Sequence, residues 1–322
     1  MRLRVAVIHT VEEYSKNQIA NLRGEEQINN TNTSLKTAIE SLGHEAVLVP
    51  ADFDLLSWIK EIEPDVMFNN CTGISGKSSQ PQIAGMLELT NIPFTGSGQT
   101  AHTLALYKPL AKQIMFFNGI PTPRFAVVSH SEEELSDGLQ YPVIIKPEHE
   151  GSSIGISEKS IAHSSEEAKK VAVAVINEYR QPALIEEFIV GREFTVGVLG
   201  GKTLLVLPPM EMLLCTKSAI YFRDNKINDS VQTRCPADLT SNLLERIETT
   251  VLRAFKALGC RDYARIDVRV DHNDIPYAID INTLPGLEPD YSDFPRIAKG
   301  AGLSYKQLIN YLLECALERR IS

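Results

Sequence analysis

The stretch that decides the fold is ARIDVRVDHNDIPYAIDIN, Ala264 to Asn282. Ile266, Val268 and Val270 alternate with Arg265, Asp267 and Arg269; after a turn near Asp271–Ile275, Ile279 and Ile281 alternate with Asp280 and Asn282. Successive strand residues point to opposite faces, so this reads as a hairpin with one apolar and one polar face. A loop of His272–Ile275 sets Asp267 opposite Asp280; a two-residue loop of His272 and Asn273 sets them on a diagonal. Either register keeps both carboxylates on the polar face, because the two differ by a slip of two. Facing carboxylates destabilise a sheet unless a cation lies between them. Arg265 supplies part of that charge. Oxygens from Asp267, Asp280 and Asn282 also suit a hard cation such as Mg²⁺, with Mn²⁺ as a substitute. Without metal, Asp280→Asn is expected to be neutral or stabilising, through relief of repulsion. The competing reading is a merely solvated face.

Upstream, VIIKPEHEGSSIGI (Val143–Ile156) carries a lysine to the end of a β-branched run and then enters a Gly/Ser loop. Small side chains let backbone N–H groups approach anionic oxygen closely, so a strand–Lys–Gly loop can hold phosphates. The bland alternative is a hairpin with one solvated lysine. Composition constrains the choice. The 322 residues are 43% hydrophobic and 23% charged, as in an ordinary folded protein of two or three units. A net charge of −9 argues against nucleic acid, and leaves room for an anionic small molecule in a local cationic pocket. The five cysteines are scattered, without CxxC spacing, and read as reduced packed thiols. No apolar run approaches membrane-spanning length and the amino terminus reads as a strand; no membrane role and a cytoplasmic location are expected.

Outward from these two stretches the chain alternates strands and helices. Strands are expected at Leu3–Ile8, Ala46–Val49 and Asp65–Asn69, with helices at Asn32–Leu42, Leu55–Ile62 and Ile83–Leu89. That order implies a doubly wound parallel sheet. Ile92–Gly98 reads as its exit. A helix over Leu104–Phe117 follows, then strands at Arg124–Val128, Val143–Lys146 and Ala183–Phe188 with a helix at Ser164–Glu178, an α+β unit of antiparallel strands and two helices. Strands at Glu193–Leu199 and Thr203–Leu207, a polar loop from Cys215 to Cys235, a helix at Asn242–Leu258, the hairpin, and a helix at Tyr305–Arg319 complete it. The expected division is 1–97, 98–190 and 191–322.

Taken together, VIIKPEHEGSSIGI, then Glu186-Glu187-Phe188-Ile189-Val190-Gly191-Arg192-Glu193, then ARIDV and IDINTLPG, resemble the D-alanine–D-alanine ligases of the ATP-grasp superfamily, from about Ile92 onward. The resemblance implies an ATP-grasp fold: an N-terminal doubly wound domain and two α+β subdomains enclosing ATP. It implies that Lys146 contacts the α/β phosphates, joined by Lys108 or its competitor Lys112, since the family's Asp-Lys pair is Tyr107-Lys108 here. Gly151, Ser152 and Ser153 resemble the loop that closes over phosphates, and Glu186, Glu187, Phe188 and Ile189 the hinge that holds adenine. Glu193 resembles the ribose-binding glutamate. Asp267, Asp280 and Asn282 fall on the Mg²⁺ ligands. Arg265, Lys226, Ser153 and Glu26 (or its neighbour Glu25) fall on the catalytic set. The implied chemistry is an ATP-dependent ligation of an amino acid to a second amino acid or amine through an acyl phosphate. A homodimer is expected.

The acceptor side departs from the family. Its His-Gly and Gly-Glu-Asp-Gly elements are absent from Asn69–Gln80, and the segment Leu287-Glu288-Pro289-Asp290-Tyr291-Ser292-Asp293-Phe294-Pro295 is one residue longer and acidic, with Ser292 a substitute for the family serine and a solvated turn the competing reading. A substrate that is larger than alanine, or more positively charged, suits it better. The second function class is a nucleotide-binding or regulatory protein that has lost acceptor chemistry; Arg265 favours the ligase.

Overall fold

The structure, a computed structural model, describes residues 1–11, 22–74, 79–133, 135, 138–149, 156–213 and 232–319. Strands β1 (Arg4–Thr10), β2 (Glu45–Ala51) and β3 (Val66–Asn70) form a parallel sheet in the order β2-β1-β3. Its strands are apolar on both faces, as a sheet covered on both sides requires. Val5, Val7, Val66 and Phe68 face one core, while Ala6, Ile8, Val49 and Met67 face the other. Helices α1 (Leu22–Ser41) and α2 (Leu55–Ile62) cover opposite faces through Leu35 and Ile39, and through Leu55 and Ile59. Helix α1 starts ten residues before the expected Asn32, because its polar first turns lack apolar periodicity. Helix α3 (Ser79–Glu88) follows, and Phe94 extends the sheet by a parallel bridge to Met67.

The expected helix Leu104–Phe117 is two helices, α4 (Gln99–Leu106) and α5 (Lys108–Phe117). Tyr107 breaks them at φ −85°, ψ 86°, and Pro109 sits in the first turn of α5, where no N–H is required. The next sheet is antiparallel, ordered β4-β7-β5-β6, from β4 (Phe125–Val128), β5 (Val143–Pro147), β6 (Ile161–Ala162) and β7 (Ala183–Glu187). Helix α6 (Ser165–Tyr179) covers it with Ala168, Ala172 and Val175. The second helix expected for this unit, α5, buries Ala111 and Met115 in the core of the following sheet instead.

That following sheet runs β11-β10-β8-β12-β13, with β9 on β8. It comprises β8 (Arg192–Leu199), β9 (Leu205–Val206), β10 (Met210–Leu213), β11 (Gln232–Arg234), β12 (Tyr263–Val270) and β13 (Pro276–Asn282). Helix α7 (Ser241–Ala257) packs on one face. On the other lie α8 (Asp293–Gly300), which was not expected from the sequence, and α9 (Tyr305–Glu318). Helix α9 also closes the β1–β3 sheet: Leu308, Leu312 and Leu313 share one core with Val5, Val7 and Phe68.

The decisive hairpin has a finer register than either expected loop. Its loop is five residues, with Val270 paired to Pro276. An unbroken ladder from there would oppose Asp267 to Ile279 and turn Asp280 to the apolar face. A bulge between Asp267 and Val268 leaves Ile279 without a ladder partner and restores the pairs Asp267–Asp280 and Arg265–Asn282. The shared polar face is therefore kept by an inserted residue. Among the described residues no helix is long and apolar enough to cross a membrane, and Cys71, Cys235, Cys260 and Cys315 are free thiols.

Candidate active site

The polar face of the hairpin, the inner end of β5–β7 and the buried side of α5 converge. Lys146 and Glu186 lie on neighbouring strands, two residues apart in register and so on one face. Glu186 is 1% exposed and carries two ammonium groups: Lys146 Nζ at 2.9 Å from Oε2, and Lys112 Nζ at 3.0 Å from Oε1. Lys112 Nζ also donates to Thr122 Oγ1 at 3.2 Å and to the carbonyl of Ile279, the bulged residue, at 3.3 Å. An ammonium has three N–H donors, so Lys112 is committed inside the protein. Lys108 faces the hairpin instead, with Nζ 3.8 Å from Asp280 Oδ2. Burial would raise the Glu186 carboxyl, but Lys112 and Lys146 hold it below its ordinary range. Burial would lower the Lys146 ammonium, yet Glu186 and Asp280 leave it raised. For Lys112 burial wins and the pKa falls.

The two facing aspartates each have their own cation. Arg265 grips Asp267 with Nε to Oδ1 and Nη2 to Oδ2, both 3.1 Å, and reaches Asp293 Oδ2 with Nη1 at 3.3 Å. Thr195 Oγ1 and Asn282 Nδ2 complete the Asp267 shell at 2.7 and 3.3 Å. Burial would raise the Asp280 carboxyl, but Lys108, Lys146 and Lys112 depress it. Relief of repulsion therefore does not describe Asp280→Asn. Removing that carboxylate strips three lysines of a counter-charge, and the metal-free variant is expected to lose stability.

Among the described residues, no group of three or more His, Cys, Asp or Glu side chains converges as a metal cage. Two aspartates and one asparagine amide are a hard, partial oxygen set, which fits a cation that arrives with phosphate oxygens rather than one held by protein alone.

The residues expected to form the hinge divide by strand alternation. Glu186 points into the lysine cluster, whereas Glu187 turns outward and accepts from Gln140 N at 2.9 Å. The Phe188 ring lies under the Arg269 guanidinium at 4.6 Å, and Arg269 Nε donates to the Ile189 carbonyl at 2.7 Å. Arg269 Nη1 meets Glu193 Oε2 at 2.6 Å. Burial raises the Glu193 carboxyl, Arg269 pulls it back, and Asp267 adds to the rise. Arg269 and Thr195 were not singled out from the sequence, and Asp293 entered only as part of the acidic segment after Asn282. Arg269 shares a strand face with Arg265 and Asp267, and that alternation is the signal that points to it.

Among the residues expected on the acceptor side, Glu26 is exposed on α1, one turn before Asn30. Asn30 Nδ2 donates to Glu288 Oε1 at 3.2 Å, while Glu288 Oε2 is buried with no hydrogen-bond partner among the described residues. Burial raises the Glu288 carboxyl and Glu26 adds repulsion. Ser292 Oγ accepts from Glu288 N at 3.1 Å, so it serves the loop's own backbone. Glu25, Gly151, Ser152, Ser153 and Lys226 lie outside the described residues or side chains.

Residues 114–314 match the family model for the D-alanine–D-alanine ligase C-terminus. The chain is 37% identical over 230 residues to a D-alanine–D-alanine ligase of Bordetella avium, covering 70% of each. It is 34% identical over 286 residues to that of Erythrobacter litoralis, covering 87% of this chain and 86% of the relative. An uncharacterised protein, y4sG, of Sinorhizobium fredii is 34% identical over 297 residues, with 89% and 87% coverage. The solved D-alanine–D-alanine ligase of Bacillus anthracis in complex with ATP superposes with a TM-score of 0.75 at 26% identity, covering 99% of both chains. Residues 114–314 include both antiparallel sheets and the polar hairpin, and the chain belongs to the D-alanine–D-alanine ligase family of ATP-grasp carbon–nitrogen ligases.

Proposed function

We propose that this protein uses ATP to join an amino acid to a second amino acid or amine through an acyl phosphate. The observation that carries the reading is the convergence of Lys146, Lys108 and Arg265 around Glu186, Asp280 and Asp267. A carboxylate is a poor electrophile, and phosphoryl transfer makes it a good one. Lys146 and Lys108 are cations at the place where polyphosphate would lie, and Lys112 holds the cluster together from behind. Glu193 would face the ribose and the backbone of 186–189 the base, with the Glu186 carboxylate turned instead to Lys112 and Lys146. Mg²⁺, held by Asp267, Asp280 and Asn282, would supply charge neutralisation on the phosphates. Arg265, fixed by Asp267 and Asp293, is aimed to stabilise an oxyanion when the amine attacks. The segments 1–97, 98–190 and 191–322 would supply acceptor, phosphate and metal sides respectively, and Ser153, Lys226 and Glu26 the remaining contacts.

The metal assignment has its own test. Asp280→Asn keeps the shape and removes one anionic ligand, so the Mg²⁺ concentration for half-maximal turnover should rise about tenfold or more. Turnover measured across a Mg²⁺ series checks it. An unchanged Mg²⁺ dependence would remove Asp280 from the ligand set.

For the acceptor, Glu26 and the uncompensated oxygen of Glu288 favour a substrate with a cationic group beyond its reacting amine. ATP-dependent phosphate release and product mass, measured with D-alanine alone and with pooled D- and L-amino acids and amines, identify the pair. D-Alanine should not be best at both positions. Efficient D-alanyl-D-alanine formation unmatched by any other pair would show that the altered acceptor side is compatible with the plain family reaction. ATP binding without any ligated product would favour the regulatory reading.

A further inference from the structure

One guanidinium organises the whole segment between the central and C-terminal sheets. Arg269 is 5% exposed on β12 and pairs in register with Glu193 on β8. Beyond its 2.6 Å contact with Glu193 and its 2.7 Å bond to the Ile189 carbonyl, its Nη2 donates to the Gly191 carbonyl at 3.1 Å, and its plane covers Phe188. These carbonyls belong to the connection between β7 and β8 and are outside the strand ladders. A second feature presses the same connection onto the end of β12. Gly191 has φ +152°, and a Cβ built there would lie 1.9 Å from the Val270 carbonyl oxygen, so only glycine fits. The backbone at 188–191 is thus fixed by a close approach on one side and a forked donor on the other.

We propose that Arg269 is the positioning residue of the nucleotide hinge: it orients the peptides at 189 and 191 and aims the Glu193 carboxylate at the ribose. This rests on the reading of Glu193 as a ribose ligand. Lysine cannot take its place fully, because a single ammonium lacks the planar fork that spans a carboxylate and two carbonyls. Arg269 acts through Glu193 and the hinge and itself touches none of the reacting groups.

The test measures dissociation constants for ATP, 2′-deoxy-ATP and 3′-deoxy-ATP in wild type, Arg269→Met, Arg269→Lys and Glu193→Gln, with melting curves and KM for the amino-acid substrates at saturating ATP. Wild type should prefer ATP over at least one deoxy analogue by about tenfold, the usual worth of a charge-assisted hydrogen bond. Arg269→Met should weaken ATP by about tenfold while weakening that analogue little, so the preference collapses; Arg269→Lys should retain an intermediate preference. Amino-acid KM values should stay within about twofold. If Glu193→Gln abolishes the preference but both Arg269 variants keep it, the Arg269 assignment is overturned and the Glu193 reading stands. If Glu193→Gln leaves the preference intact, the ribose reading falls and this inference falls with it. Should Arg269→Met fail to fold, the Lys variant alone decides, since a purely structural role would weaken ATP and both analogues equally.

Discussion

Lys146→Ala is expected to cut ATP turnover by about 10²–10³-fold, the scale of removing one preorganised charge from a transition state, while the protein keeps its cooperative fold. The second half of that expectation comes from the buried charges. Glu186 has one negative charge between two lysines, and deleting Lys146 leaves the Lys112–Glu186 pair at 3.0 Å in balance. The stability cost should therefore be lost aliphatic packing plus one contact to Glu186 Oε2, about 1–3 kcal/mol and less than loss of the shared carboxylate. Phosphate release, nucleotide titration and thermal melts on one preparation separate the two effects. A well-folded variant with normal nucleotide affinity and turnover would refute the placing of phosphates at the end of β5.

Glu186→Gln should do the reverse and strike the fold first. It keeps the volume but leaves Lys112 and Lys146, whose side chains are 1% and 7% exposed, without their shared carboxylate. Removing one partner of a buried ion pair typically costs about 3–5 kcal/mol. The pH dependence carries the sign. Lysine pairing holds the Glu186 carboxyl below its ordinary value of 4.5, so its contribution is complete above about that pH and is lost as pH falls through the depressed value. The stability gap between wild type and Glu186→Gln, from chemical denaturation, should be level across neutral pH and narrow on the acid side as Glu186 is protonated. A gap under about 1 kcal/mol at neutral pH would mean the lysines find other compensation.

Much of this was legible because the strands obey a period of two. Ile266, Val268 and Val270 marked the core face of β12, and their neighbours had to share the other. The pairing of Asp267 with Asp280 was one of two registers legible in the sequence, but the five-residue loop and the bulge that together produce it were not, because a bulge has no signature in composition. Tyr107 shows a similar limit: hydrophobic spacing runs straight through 104–117, and only local backbone geometry divides it. Helix α8 was hidden by Pro289 and Pro295, which read as turn residues, although Pro295 lies in its first turns, where proline is tolerated. The distinction between Lys108 and Lys112 lay beyond any sequence reading. Both sit on one helical face, and only the fold shows that Lys112 reaches Thr122 and the Ile279 carbonyl while Lys108 lies toward Asp280.

The closing of the β1–β3 sheet by α9 bears on how the molecule is made. Val5, Val7, Val66 and Phe68 emerge from the ribosome early, yet part of the surface that covers them comes from Leu308, Leu312 and Leu313. Synthesis proceeds from the amino terminus, so this sheet must wait with one face incompletely covered while the intervening chain is translated. Long-range closure of this kind is slow and leaves apolar strands open to wrong partners. Until residues 305–318 have been added, that face of the sheet lacks part of its cover.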